Sequence, residues 1–214
     1  MILVTKILLL FGFFVVVTLV QIGCTRKLSA PVKLKKKLFS PANKALSKQV
    51  QQLKTFLQQN SEYNNSIAFL IDMSVPSGRN RFVVYDVQTD SVLDKGLVAH
   101  GSGSEKRKNG HLTFSNTLNS LCTSLGKYAI GNSYQGDFGK AYKLYGLDST
   151  NNNAFNRDIV LHKYDRMPYN EQPDDICLSY GCPMVHPAFF TRLESMIDAS
   201  EKPILMVIYY GTTS

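Results

Sequence analysis

From residue 67 onward the sequence is a succession of short runs rich in Val, Ile, Phe and Tyr, each ended by turn-forming residues. This restricts the chain to a fold built mainly of strands. Runs at 67–71, 81–87 and 91–99 are separated by Pro76-Ser77-Gly78 and by Thr89-Asp90, the pattern of an antiparallel meander. Further strands are predicted at 126–130, 141–144, 158–162 and 203–210. Two helices flank them. Leu46, Val50, Leu53 and Leu57 recur at spacings of three and four with Lys and Gln between, which predicts an amphipathic helix over 43–59 with one face on the domain. A second helix is predicted over 187–199, opened by Pro187 and carrying Phe190, Leu193, Met196 and Ile197. The expected fold class is mainly β with peripheral helices (α+β).

The start of the chain reads as an address. Lys6 precedes an apolar run from Ile7 to Val17, extended past Thr18 to Val20, with the length and flank of a signal-peptide core. The run closes on Ile22-Gly23-Cys24, and a small residue before a cysteine resembles the lipobox of bacterial lipoproteins, although Gln21 replaces the usual leucine. Lipidation at Cys24 and an uncleaved anchor over residues 2–23 both fit. Positive charge lies mainly behind the run, which by the positive-inside rule would leave the domain in the cytoplasm. Export is preferred because the chemistry derived below has its substrate outside. The expected organisation is a signal or anchor at 1–24, a basic linker at 25–42 and one catalytic domain at 43–214.

Length and charge narrow the classes. A chain of 214 residues with 44% hydrophobic content supports one domain with its own core. The net charge of +8 suits an anionic partner. Arg26, Lys27, Lys33, Lys35, Lys36 and Lys37 concentrate much of that charge in the linker, and no recognition helix or aromatic RNA-binding signature follows, so no nucleic acid is expected. Gly101-Ser102-Gly103-Ser104 lacks the Lys-Ser/Thr that closes a phosphate-binding loop. The four cysteines, Cys24, Cys122, Cys177 and Cys182, suggest separate roles, with a Cys122–Cys177 bridge left open.

The chemistry converges near the C-terminal third. A β-branched run ends on His162, and Ser179-Tyr180-Gly181-Cys182-Pro183 follows an irregular loop containing Pro168 and Pro173. A cysteine nucleophile needs thiolate character, and an imidazole supplies it by taking the thiol proton. Gly181 lets the backbone turn tightly, so amides beside Cys182 can face the oxygen of a tetrahedral intermediate. Read without context, the same residues describe a small buried thiol and a structural histidine.

These residues, with Val98-Ala99-His100-Gly101, Phe114-Ser115-Asn116, Ser120, Thr123-Ser124-Leu125-Gly126, Tyr142 to Leu147, Asn151, Asn153, Ala154 and Arg157, resemble the L,D-transpeptidases of peptidoglycan. The likeness is to the divergent branch called the murein L,D-transpeptidase catalytic domain family. That family's motif is a histidine, a loop, then Ser or Thr, a variable residue, Gly and Cys. Here residues 163–178 form the loop. The resemblance implies a sandwich-like or barrel-like β domain in which Cys182 attacks the carbonyl between the L-centre of the third stem-peptide residue and D-alanine. A thioester forms, D-alanine leaves, and an amine acceptor resolves the thioester. His162 would be the base, the amides of Tyr180, Gly181 and Cys182 the oxyanion donors, and Ser179 a loop or substrate contact. His100, Ser115, Asn116 and Arg157 fall in matching blocks and are weighed as substrate contacts or structural residues. No cofactor is implied. The implied partners are peptidoglycan stem peptides, with the membrane reached through the N-terminal anchor or lipid, and the domain would face the periplasm or cell wall. Tyr180 stands where the main families carry His, Pro183 and Met184 where they carry Asn or Arg, and Leu178 where an arginine is expected.

Hydrolysis by the same thioester, an L,D-carboxypeptidase activity, is the nearest alternative. A metal-binding module built on His162, Cys177, Cys182 and His186 is a rival from another class. A wall-binding domain without turnover is a third.

Overall fold

The computed structural model of the chain describes residues 41–211 except 107, with residues 41–43 described by backbone alone. The 1–24 address, Cys24 and nearly all of the 25–42 linker lie outside the described residues. Among the described residues no helix is long and apolar enough to cross a membrane.

The strands are β1 (Ile67–Asp72), β2 (Phe82–Asp86), β3 (Ser91–Gly96), β4 (Gly126–Gly136), β5 (Gly139–Gly146), β6 (Val160–Lys163), β7 (Met184–Val185) and β8 (Leu205–Tyr209). They form one mixed sheet in the order β3-β2-β1-β8-β4-β5-β6-β7. The meander β1-β2-β3 is antiparallel as expected, while β1 with β8 and β6 with β7 pair in parallel. Helices α1 (Pro41–Gln59) and α2 (Pro187–Asp198) complete the fold class expected from sequence. His186 caps α2 by accepting the Ala188 N–H at its Nδ1, 3.0 Å away, and Pro187 follows in the first turn, where a missing N–H costs nothing.

Alternation along the central strands shows why they need cover on both sides. In β1, Phe69 and Ile71 enter one apolar cluster while Ala68 and Leu70 enter another. In β8, Met206 and Ile208 face the first cluster, and Leu205, Val207 and Tyr209 the second. Strands buried on both faces read as unbroken apolar runs. Phe189, Phe190 and Leu193 of α2 fill the first cluster, and Val50, Leu53 and Leu57 of α1 fill the second.

The second cluster takes no residue from β5, β6 or β7. Ala129 belongs to it and pairs with Tyr145, so Tyr145, Lys143 and Ala141 lie on the α1 side of β5. His162 pairs with Ala141 and Met184 pairs with His162, which places both on that same side. Over this half of the sheet the α1 face is left without a helix, and the opening is where a substrate can enter.

Two expected strands extend well beyond their predicted bounds, and a third strand carried no sequence signal. β4 and β5 continue past 130 and begin before 141 to form a long hairpin, because a bulge between Ile130 and Ser133 interrupts the alternation. The polar residues beyond it, Asn132, Ser133 and Gln135, carry no strand signal. β7 is two residues long and gave none.

Leu53 is 2% exposed on the inner face of α1. Leu53→Ala should lower the unfolding free energy by about 2–5 kcal/mol in urea titration. A loss below about 0.5 kcal/mol would show that α1 does not pack on the domain.

Candidate active site

The hydrogen bonds of two short parallel strands build the site. His162 pairs with Met184 and Lys163 with Val185, so continuing the register backward sets Cys182 beside Val160. The Val160 N–H donates to Cys182 Sγ at 3.5 Å, and the thiol donates to the Asp158 carbonyl at 3.6 Å. Asp158 has φ +54°, a left-handed conformation that aims this carbonyl at the sulfur at some cost in strain. His162 is 8% exposed, and its Nδ1–H donates to the Lys163 carbonyl at 3.0 Å. Since a carbonyl can only accept, that bond assigns the tautomer and leaves the Nε2 lone pair for a proton.

Cys182 and His162 line one cavity of about 330 Å³. Its walls include Met184 and the β4–β5 hairpin, from which Tyr134 and Phe138 overhang. Phe138 stacks on the His162 ring at 5.3 Å between centroids and 24° between planes, although its own ring is 51% exposed. A larger hollow of about 560 Å³, between α1 and the β4–β8 region, is lined by glutamines, apolar residues and the Lys127–Asp148 ion pair and holds no nucleophilic thiol.

No hydrogen bond joins Cys182 Sγ to His162 among the described residues; each is held by backbone instead. Burial pushes the Cys182 thiol above its usual range. The Val160 N–H and the Arg157 and Lys143 charges oppose that shift, while the Asp158 charge adds to it. Burial likewise pushes His162 below its usual range, against the pull of the Lys163 carbonyl. Both directions favour the uncharged forms, thiol and imidazole, at neutral pH.

The loop before the nucleophile is pinned from several sides. Ser179 donates from its N–H to the His100 carbonyl at 2.9 Å and accepts the Ser102 N–H at 2.8 Å. Its hydroxyl donates to the Cys182 carbonyl at 2.7 Å and accepts the Gly181 N–H at 3.1 Å. The Gly181 amide, expected to face an oxyanion, is therefore engaged with Ser179. The Tyr180 and Cys182 amides have no protein acceptor among the described residues. Gly181 has φ +119°, and a Cβ there would stand 2.9 Å from the Cys122 carbonyl oxygen, so only glycine fits this turn.

The four residues weighed as substrate contacts or structural residues all make hydrogen bonds within the frame. His100 is 1% exposed. Its Nδ1 accepts from Arg81 Nη2 at 2.8 Å, and its Nε2 lies 2.5 Å from Glu105 Oε1. Arg157 donates to the Ser115 and Cys122 carbonyls at 2.9 and 2.6 Å, and to the Ser124 and Ser120 hydroxyls at 3.0 and 3.3 Å. The Ser115 hydroxyl accepts the Thr117 N–H at 3.1 Å. Asn116 bridges to Asn152, Ser149 and Asn153. None of the four lines the cavity. The sequence blocks around them form the scaffold under the nucleophile loop. Of the residues that wall the cavity, Leu178 and Met184 were noted as departures from the family motif, while Tyr134, Phe138 and Tyr164 were missed, because these aromatic residues belong to no motif.

The four donors of the metal reading are not gathered. His186 caps α2, Cys177 donates to Met167 Sδ at 3.3 Å, and no group of three or more such side chains meets among the described residues. Cys122, Cys177 and Cys182 are all free thiols, so the bridge left open is not formed.

With the geometry in place, the sequence matches the family described as the L,D-transpeptidase catalytic domain over residues 39–209, and the chain belongs to that family. No curated protein matches it. Among solved structures it is similar to the helical cell shape determining protein Pgp2 of Campylobacter jejuni. The two are 12% identical over 76% of this chain and 57% of that one, with a TM-score of 0.45. It is also similar to an L,D-transpeptidase of Xylanimonas cellulosilytica, 15% identical over 68% of this chain and 61% of that one, with a TM-score of 0.36. The chain thus spans less than two thirds of either solved chain.

Three outcomes check this site. Alkylation of Cys182 by iodoacetamide, read by peptide mapping, should keep accelerating as pH rises past 9.0, the ordinary thiol value, because its folded pKa lies above it. A rate already level from about pH 6 would show a preformed ion pair. Arg157→Met should destabilise the domain by about 1–3 kcal/mol in urea titration, because two carbonyls lose their donor. Tyr180→Ala, at a side chain 79% exposed, should change stability by less than about 0.5 kcal/mol.

Proposed function

We propose that this domain is a peptidoglycan-modifying cysteine L,D-transpeptidase, with Cys182 as nucleophile and His162 as general base. The observation that carries the reading is the shared cavity, lined by the His162 imidazole of β6, with its Nε2 open, and by the Cys182 thiol two residues before the parallel β7. Family membership supplies the reaction class.

A side-chain rotation moves the Cys182 thiol from the Asp158 carbonyl toward His162, whose Nε2 takes the proton as sulfur attacks the stem-peptide carbonyl. The tetrahedral oxygen faces the Tyr180 and Cys182 amides, which have no other acceptor. Such donors contribute roughly 3–4 kcal/mol. Collapse breaks the C–N bond, and the imidazolium returns its proton to the departing D-alanine amine. An acceptor amine then attacks the thioester, His162 takes a proton from it, and the thiol is regenerated. Ser179, Gly181 and Arg157 position the loop rather than touch the reacting atoms. Water in place of the amine makes the same intermediate an L,D-carboxypeptidase. Starting from a neutral pair removes the cost of burying two charges before substrate arrives.

The N-terminal segment supports export, with the domain held on the membrane by lipid on Cys24 or by an uncleaved anchor and facing the periplasm or wall.

The test is to incubate the protein with a muropeptide bearing a tetrapeptide stem, beside Cys182→Ala, and follow products by mass spectrometry. An acyl adduct on Cys182, free D-alanine and cross-linked dimers are expected, all absent from the variant. Trimmed monomers without dimers would assign hydrolysis. Turnover that survives in Cys182→Ala, or an adduct mapping to Cys122 or Cys177, would refute the site.

A further inference from the structure

The cavity face of the sheet continues beyond the cavity as an aromatic strip. Tyr145 and Phe155 stack with centroids 5.3 Å apart and planes 12° apart, yet the two residues are 42% and 48% exposed. The Tyr145 ring is seated over Gly131, where a Cβ would come within 2.3 Å of it, so the backbone beneath has been cleared for this ring. Lys143 Nζ sits 4.7 Å from the centre of the Tyr134 ring and 5.6 Å from that of Phe155, and pairs with Asp158 at 3.3 Å. Tyr134 also walls the cavity, so the strip and the cavity are continuous. From Ala141 to Tyr145 the strand advances ~13 Å.

The charges decide what such a surface can hold. Lys143 and Asp158 cancel, so the strip lacks the unpaired cations that a nucleic acid or an anionic lipid surface would require. Two stacked rings are too small an apolar area to seat a folded protein partner. A neutral aminosugar chain fits: its pyranose faces are apolar and flat, and its hydroxyl and acetamido groups can use the donor and acceptor of the Lys143–Asp158 pair.

We propose that Tyr134, Lys143, Phe155 and Tyr145 form a subsite for the neutral glycan chain that carries the stem peptide, orienting it so that the peptide enters the cavity at Cys182. This rests on the peptidoglycan reading given above.

The test titrates the protein with a β-1,4-linked N-acetylglucosamine tetramer and, separately, with a free stem tetrapeptide, following Tyr145 and Phe155 by NMR. Saturable binding of the tetramer is expected, weakened about tenfold by Phe155→Ala and by Tyr145→Ala, retained in Tyr145→Phe and unchanged in Cys182→Ala. In turnover, Phe155→Ala should raise KM about tenfold for a disaccharide-linked stem while leaving the free peptide's KM and both kcat values within about twofold. Absence of saturable tetramer binding, or alanine variants binding within twofold of the parent, would overturn the subsite. So would equal impairment on both substrates. Acylation of Cys182 without glycan binding would overturn the subsite alone, and glycan binding without acylation would overturn the enzyme reading alone.

Discussion

Two residues of parallel pairing, His162 with Met184 and Lys163 with Val185, fix where the chemistry of this domain can occur. The register carries Cys182 to Val160, whose amide touches the sulfur, and brings the imidazole to the same side of the sheet. A two-residue strand supplies little pairing energy by itself, so the loop leading to it must be fixed by other means. The Ser179 hydroxyl and amide fix one end, Met184 accepts the Ala99 N–H with its carbonyl, and Arg157 ties the underlying turn together through four oxygens. The buried Arg81–His100 contact holds the segment onto which Ser179 bonds. Much of the polar burial in the domain therefore serves a single turn.

The same burial that fixes the site also sets its electrostatics. A thiol pushed up and an imidazole pushed down both favour an uncharged pair in the cleft. The Val160 N–H and the Arg157 charge pull toward the thiolate, while the Asp158 charge opposes it and offsets that of Lys143, with which it pairs. Phe138 lies over one face of His162 and limits the ring's freedom.

The sequence made the central strands, both helices and the Cys–His pair legible for identifiable reasons. Leu53 and Leu57 show helical spacing, and Phe69 to Ile71 read as a fully buried strand. Gly181 before Cys182 marks a turn that no other residue fits. The hairpin beyond Ile130 was hidden by its bulge, and with it Tyr134 and Phe138, the aromatic wall of the cleft. Arg157, Ser115, Asn116 and His100 stood out within the sequence blocks, but side-chain chemistry alone does not tell a scaffold donor from a substrate donor. That distinction depends on which oxygens stand within reach, and those are backbone carbonyls brought together from distant parts of the chain.

A neutral thiol and an imidazole protonated at Nδ1 are expected in the resting cleft at neutral pH. Nitrogen-15 NMR of the His162 ring across a pH titration tests this most directly. The expected spectrum at neutral pH shows Nδ1 carrying the proton and Nε2 bare, with a midpoint below 6.5. A ring protonated on both nitrogens at neutral pH, losing its charge when Cys182 is replaced by alanine, would contradict the account.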